Sequence, residues 1–189
     1  PRTRSARVEE ALRIDESLAV LEVVQRTLSH SRQDLLEVLW KRGSLRGRLW
    51  GRKPGFVPLL DGPFGRWLPR QVAAYADALE AAIATKDTPS WTVTRAIRVL
   101  GRLPGIGLAY AGHHTASPHL ERREAALAAL AWTDRPGDAL GRLLAIRTGD
   151  ETRVAMYAAG RCLRDVPAAR ALPLLADALR DPAAKVTAR

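Results

Sequence analysis

The chain has 189 residues, a formal net charge of +10 and an apolar share of 47%. That length gives room for one medium domain with a sizeable core, and that apolar share excludes a disordered tail. Ala and Leu dominate while aromatic residues make up only 5%, which points to an all-α fold. Cys162 is the single cysteine, so no internal disulfide can form; a lone thiol fits a reducing, cytoplasmic compartment. No apolar run approaches the roughly 20 residues that a membrane-spanning helix needs. The charge is uneven. Residues 41–70 carry eight positive side chains against Asp61 alone, +7 of the total, and the other 159 residues share +3. Of 30 basic residues 26 are Arg, the side chain suited to phosphate and carboxylate partners.

In chain order, Arg7–Ser29 is expected to form one long helix. Ala11, Ile14, Leu18, Leu21 and Leu28 make a stripe at three/four spacing, interrupted at Gln25 and patched by Val24. Ser29-His30-Ser31 ends it. Ser31 with Asp34 resembles a capping box, with a short helix expected through Leu35, Leu36, Leu39 and Trp40. From Gly43 to Pro69 six glycines and three prolines before Pro69 break the helical pattern, giving a long irregular basic loop near residues 43–66. Leu68–Thr85 is the clearest helix, with Val72, Tyr75, Ala76, Leu79, Ala82 and Ile83 on one face. Thr88-Pro89-Ser90 turns the chain, and Trp91–Leu103 forms a partner helix through Val93, Ile97 and Leu100. Pro104–Ser117 is read as irregular. Ser117-Pro118 then opens a helix, as a cap followed by Pro at the first position.

The stretch from Arg122 to Arg189 repeats itself. Arg123-Glu-Ala-Ala-Leu127-Ala-Ala129-Leu130 lies over Arg153-Val-Ala-Met-Tyr157-Ala-Ala159-Gly160 at an offset of 30. Ala139-Leu140-Gly-Arg-Leu143-Leu144 lies over Ala171-Leu172-Pro-Leu-Leu175-Ala176 at an offset of 32, and Arg153-Val154 recurs as Lys185-Val186. Each hairpin ends in an acidic turn, Gly149-Asp150-Glu151 and Asp181-Pro182, and Pro173 is expected in a first helical turn. A period near 30 with two short amphipathic helices is the signature of an α-solenoid: one hairpin cannot cover its own apolar face, and the next one does. Arg153-Val154, Ala158-Ala159, Ala171-Leu172-Pro173, Leu175, Leu179 and Asp181 resemble the HEAT-repeat family in its shorter bacterial form. The resemblance implies a right-handed α-solenoid of antiparallel hairpins whose inner face binds proteins or, less often, nucleic acid. The whole chain is expected to be one such domain. Residues 1–66 form a divergent first hairpin with the basic loop, and 67–189 form the HEAT-like repeats. The first residue is Pro1 and a helix opens at Ala183, so the chain is expected to be a segment of a longer one.

The strongest chemical signal is Lys41, Arg42, Arg46, Arg48, Arg52 and Lys53 interleaved with Trp40, Trp50 and Phe56. Basic groups neutralise phosphates while aromatic rings stack on bases; equally, such a stretch is a solvated loop whose tryptophans plug a core. Lys41, Arg42, Arg46, Arg48, Trp50, Arg52 and Lys53 are the candidate partner or nucleic-acid contacts. Gly47 to Gly51 is followed by Arg52-Lys53-Pro54, which is not a phosphate-binding P-loop. Gly105-Ile-Gly107-Leu-Ala-Tyr110 fails as a dinucleotide fingerprint and reads as a turn. His113, His114 and His119 lack partners at ligand spacing, and the His-Glu dipeptides of HEAT-like metal hydroxylases are missing. Trp132-Thr-Asp134 resembles the tryptophan and aspartate of HEAT-like DNA glycosylases, but Asp134 before Arg135-Pro136 is more simply a helix cap. The expectation is a non-enzymatic scaffold without cofactor that binds a protein. Nucleic-acid binding through residues 41–53 is the second reading and a glycosylase the third.

Overall fold

A computed structural model describes residues 4–30, 57–146 and 149–180. Among these the chain is all-helical, with nine α-helices, one 3-10 helix and no strand. The helices are α1 (Arg4–Ile14), α2 (Glu22–His30), α3 (Pro69–Ala84), α4 (Ser90–Leu100), α5 (Gly107–His114), α6 (Leu120–Leu130), α7 (Pro136–Leu144), α8 (Thr152–Cys162) and α9 (Ala168–Arg180). The chain divides into two compact units, Pro1–Val99 and Leu100–Arg189.

In the first unit the expected long helix is broken. Asp15 stands between α1 and a 3-10 helix, Glu16–Val20, in an extended conformation. Its carboxylate accepts from the Ser17 amide (3.0 Å) and the Ser17 hydroxyl (2.5 Å). A short acid followed two residues on by Ser offers the backbone a local bond that competes with the helix. The stripe read across the break therefore does not hold. Leu28 is buried, but Ile14 is 76% exposed and Leu21 is also on the surface. The capping box and short helix expected after Ser31 lie outside the described residues.

Helix α3 keeps its predicted face, with Val72, Tyr75, Ala76, Leu79, Ala82 and Ile83 all buried. Pro69 fills its first position, where a missing amide hydrogen costs little, and the Gln71 side chain reaches back to accept from the Leu68 amide at 2.9 Å. Val93, Ile97 and Leu100 of α4 are buried as their spacing predicts, while Trp91 is exposed. The segment 57–68 has no helix and is held by an aromatic cluster. Phe64 meets Trp67 edge-on at 5.0 Å, and Trp67 meets Tyr75 at 5.5 Å. The Tyr75 hydroxyl donates to the Pro58 carbonyl (2.7 Å) and accepts from the Leu60 amide (2.8 Å). The Trp67 indole donates to the Ser29 carbonyl, near the end of α2, at 3.2 Å.

In the second unit Pro104–Ser117 is not irregular, because it contains α5. Two glycines make that helix possible. A Cβ on Gly107 would lie 2.5 Å from the Gly101 carbonyl oxygen, and a Cβ on Gly101 would lie 2.7 Å from Ala129. Helix α6 starts at Leu120, two residues after Pro118, with Ser117 accepting from the His119 amide at 3.3 Å. Helix α6 packs on α5, α7 and α8; α8 packs on both α6 and α7; α9 packs on α7. One core runs through them. Leu127, Leu130, Leu140, Leu143, Ala155, Ala158, Ala159, Cys162 and Ala171 are among its members.

The bounds of α6 recur in α8, and the start of α7 recurs in α9, at an offset of 32. The first helices thus repeat at 32 rather than 30, which places Tyr157 over Ala125 instead of Leu127. Pro173 sits inside α9, beyond its first turn, because the helix already begins at Ala168. It removes the amide that would bond the Ala169 carbonyl, and both residues are exposed.

The two bonds of the Tyr75 hydroxyl lead to a direct expectation. Tyr75→Phe leaves the buried Leu60 amide and Pro58 carbonyl without their partner, so the chain should lose roughly 1–3 kcal/mol of stability in a denaturant titration.

Candidate functional site

The predicted contacts Lys41, Arg42, Arg46, Arg48, Trp50, Arg52 and Lys53 all lie outside the described residues, as do Trp40 and Phe56. Within the described residues, the surface with the most chemistry is the outward side of α8. The helix is sorted by size. Ala155, Ala158, Ala159 and Cys162, at i, i+3, i+4 and i+7, enter the core, while Arg153, Met156 and Tyr157 stay outside. Tyr157 is 71% exposed, and the Arg153 guanidinium lies 5.8 Å from the centre of its ring. At the other end of the helix the Arg161 guanidinium lies 4.8 Å from the exposed Trp132 ring and 3.3 Å from the Asp165 carboxylate. Such stacking holds both long arginines in defined positions at the surface. Beside Arg153, an open hollow of about 610 Å³ is lined by Gly149, Asp150, Thr152, Arg153, Met156 and Tyr157.

The N-terminal end of α8 is tied back to α6. Arg123 donates to Glu151 at 3.3 Å and to the Ser117 carbonyl at 3.0 Å. A backbone hydrogen bond at Glu151, and then Arg123, hold the Glu151 carboxyl below its ordinary range. Other long-range bonds act alike. Arg142 donates to the Leu108 carbonyl at 3.3 Å, and Arg170 pairs with Asp138.

The sequence reading missed the outward face because it aligned Tyr157 with the buried Leu127. The signal that finds it is the small-residue stripe itself. Once Ala155, Ala158, Ala159 and Cys162 are taken as the inward side, Met156 and Tyr157 must point away. Asp134 does not cap α7, whose cap is Arg135 without a side-chain bond. The Asp134 carboxylate instead accepts from the Gly105 amide at 2.6 Å, holding the turn before α5. His113 is exposed and His114 buried, with their rings edge-on at 5.4 Å. Among the described residues no group of three His, Cys, Asp or Glu side chains could hold a metal ion, and no helix is long and apolar enough to cross a membrane.

No protein-family model matches the chain, and neither a curated protein nor a solved structure is significantly similar to it.

Cys162 is a core residue. Its sulfur lies 4.0 Å from the Leu130 carbonyl, and burial, followed by the nearby Asp165 charge, pushes its thiol up to about 11. A thiol harder to ionise when folded than when unfolded favours the folded state fully below pH 9, and that contribution is lost as the pH rises towards 11. Stability measured across that window should fall in the native chain and fall less in Cys162→Ala. A thiol reagent at neutral pH should label Cys162 only after denaturant is added.

Proposed function

We propose that the chain is a non-enzymatic HEAT-like α-solenoid scaffold that binds a protein partner. The observation that carries this reading is the spacing of the long-range side-chain bonds in the second unit. Five of them, among the described residues, join residues 28, 29, 32, 32 and 34 positions apart. A closed globule mixes many separations, whereas a stack in which each layer touches only the next confines them to one period. The packing of α8 on α6 and α7, and of α9 on α7, is compatible with the same layered order. The exposed residue types support the partner. Trp, Tyr, Met and Arg concentrate at protein interfaces, and Trp132, Arg153, Met156, Tyr157 and Arg161 supply all four.

The test is site-specific photocrosslinking in the source cell from a reactive residue at position 156, with the exposed position 98 of α4 as control. We expect one stoichiometric protein adduct from position 156, reduced about tenfold or more by Tyr157→Ala with Arg153→Ala. Equal yields from both positions would remove the scaffold reading. The +7 charge of residues 41–70 favours a second reading, nucleic-acid binding through Lys41–Lys53. In that case affinity for DNA or RNA should fall steeply with salt, and Arg48→Ala with Arg52→Ala should flatten the dependence by about one contact each. No retention of nucleic acid at low salt would end that reading.

A further inference from the structure

Helix α4 has two sides of different chemistry. Val93, Ala96, Ile97, Val99 and Leu100 are buried on one, together with Thr92. Trp91, Arg95 and Arg98, at i, i+4 and i+7, are exposed on the other. The helix contains no acidic residue. Trp91 is 58% exposed, and among the described residues it meets no second ring and Arg98 meets no carboxylate. Arg95 reaches Asp61 at 3.4 Å, but both side chains are more than half exposed, so the pair holds weakly and can be exchanged for another anion. Residues 1–99 carry 17 basic against 11 acidic side chains, a surplus of +6 that favours an anionic partner.

The residue types decide which anion fits. Trp91 is the single large apolar side chain exposed on α4, because its aliphatic residues are all in the core. A protein interface needs an apolar centre within roughly 800 Å² per partner, and a helix lying on a membrane needs a whole apolar face. A lone indole beside two guanidiniums supplies neither. It supplies a flat ring with cations within about 10 Å along the helix axis, which matches a nucleobase and the phosphates next to it. The base has to be unpaired, since in a duplex both of its faces are already stacked. We infer that the Trp91, Arg95 and Arg98 side of α4 binds single-stranded nucleic acid, with a base stacked on the Trp91 indole and the flanking phosphates held by Arg95 and Arg98. The assignment does not rest on the scaffold reading, and it uses residues other than Lys41–Lys53.

The probe is a fluorescent oligothymidine, titrated with the full chain at low salt and followed by anisotropy. Saturable binding is expected. Trp91→Ala should weaken it about tenfold, and Trp91→Phe, which keeps a ring, should retain most of the affinity. Arg95→Gln with Arg98→Gln should lower the salt slope by about 0.7 for each residue. All three side chains are exposed, so helicity and thermal midpoint should stay those of the native chain. Absence of binding at low salt overturns the assignment. So does binding that none of these substitutions alters, which would leave the nucleic acid on Lys41–Lys53 alone. Inorganic polyphosphate that competes equally well in the native chain and in Trp91→Ala would remove the stacked base. Attachment to phosphatidylglycerol vesicles that Trp91→Ala abolishes, in place of oligothymidine binding, would put a membrane on this face. A stoichiometric protein adduct from position 98 in the source cell would put a protein there. Each of these last three results overturns the assignment as well.

Discussion

The second unit depends on how closely its helix backbones approach one another. Its helices run from 8 to 13 residues, short enough that each alone would be marginal in water. Stability has to come from neighbours, and neighbours stabilise in proportion to how near they come. At the crossings the chain has therefore removed volume. Gly101 faces Ala129, Gly107 faces the Gly101 carbonyl, and Gly137 lies under the Arg170 guanidinium. The alanines of α8 serve the same end from the opposite side. Polar bonds then fix registers that packing permits: Arg123 with Glu151, Asp138 with Arg170, and Asp134 with the Gly105 amide. The exposed pairs among them contribute little energy individually, so their part is to select one arrangement among several that small side chains would tolerate.

The first unit solves the same problem with large side chains. Phe64, Trp67 and Tyr75 fill the space beside a segment without regular structure. Buried backbone that cannot bond within a helix must find partners elsewhere. The Tyr75 hydroxyl serves both Pro58 and Leu60, and the Trp67 indole serves Ser29. Aromatic rings with a polar tip suit this task, since one side chain contributes area and a hydrogen bond together.

What the sequence made legible follows from the strength of its periodicity. Helix α3 has 16 residues and a continuous apolar face, and no local alternative competes with it. Both its bounds and its core face could be read. The break at Asp15 was hidden because the apolar spacing continues across it, while the deciding bond, from Ser17 to the Asp15 carboxylate, is local and polar. Helix α5 was missed for a related reason. Gly105 and Gly107 look like turn residues, and Gly105 is one, with φ near +77°. Gly107 is instead needed for tertiary contact, and nothing nearby in the sequence distinguishes the two roles. Pro173 was placed too early in its helix because Ala168-Ala169-Arg170 carries no start signal. The outward face of α8 was legible in its residues but was assigned to the core through a two-residue error in the period. The basic stretch 41–53 was the candidate site because charge and aromatic spacing are visible in any sequence, whereas exposure of Tyr157 and Leu172 depends on what lies beside them.

The size sorting of α8 also determines how that helix can be inserted. Its four inward residues are three alanines and a cysteine, and the adjoining positions hold Met156, Tyr157 and Arg161. A rotation of about 100°, which a one-residue slip imposes, would drive a phenol ring into a gap cut for a methyl group. The helix is therefore keyed, admitted in one orientation and jammed in the others. Fidelity of assembly in this part of the chain comes from the bulk that α8 keeps on its outside as much as from the alanines it hides.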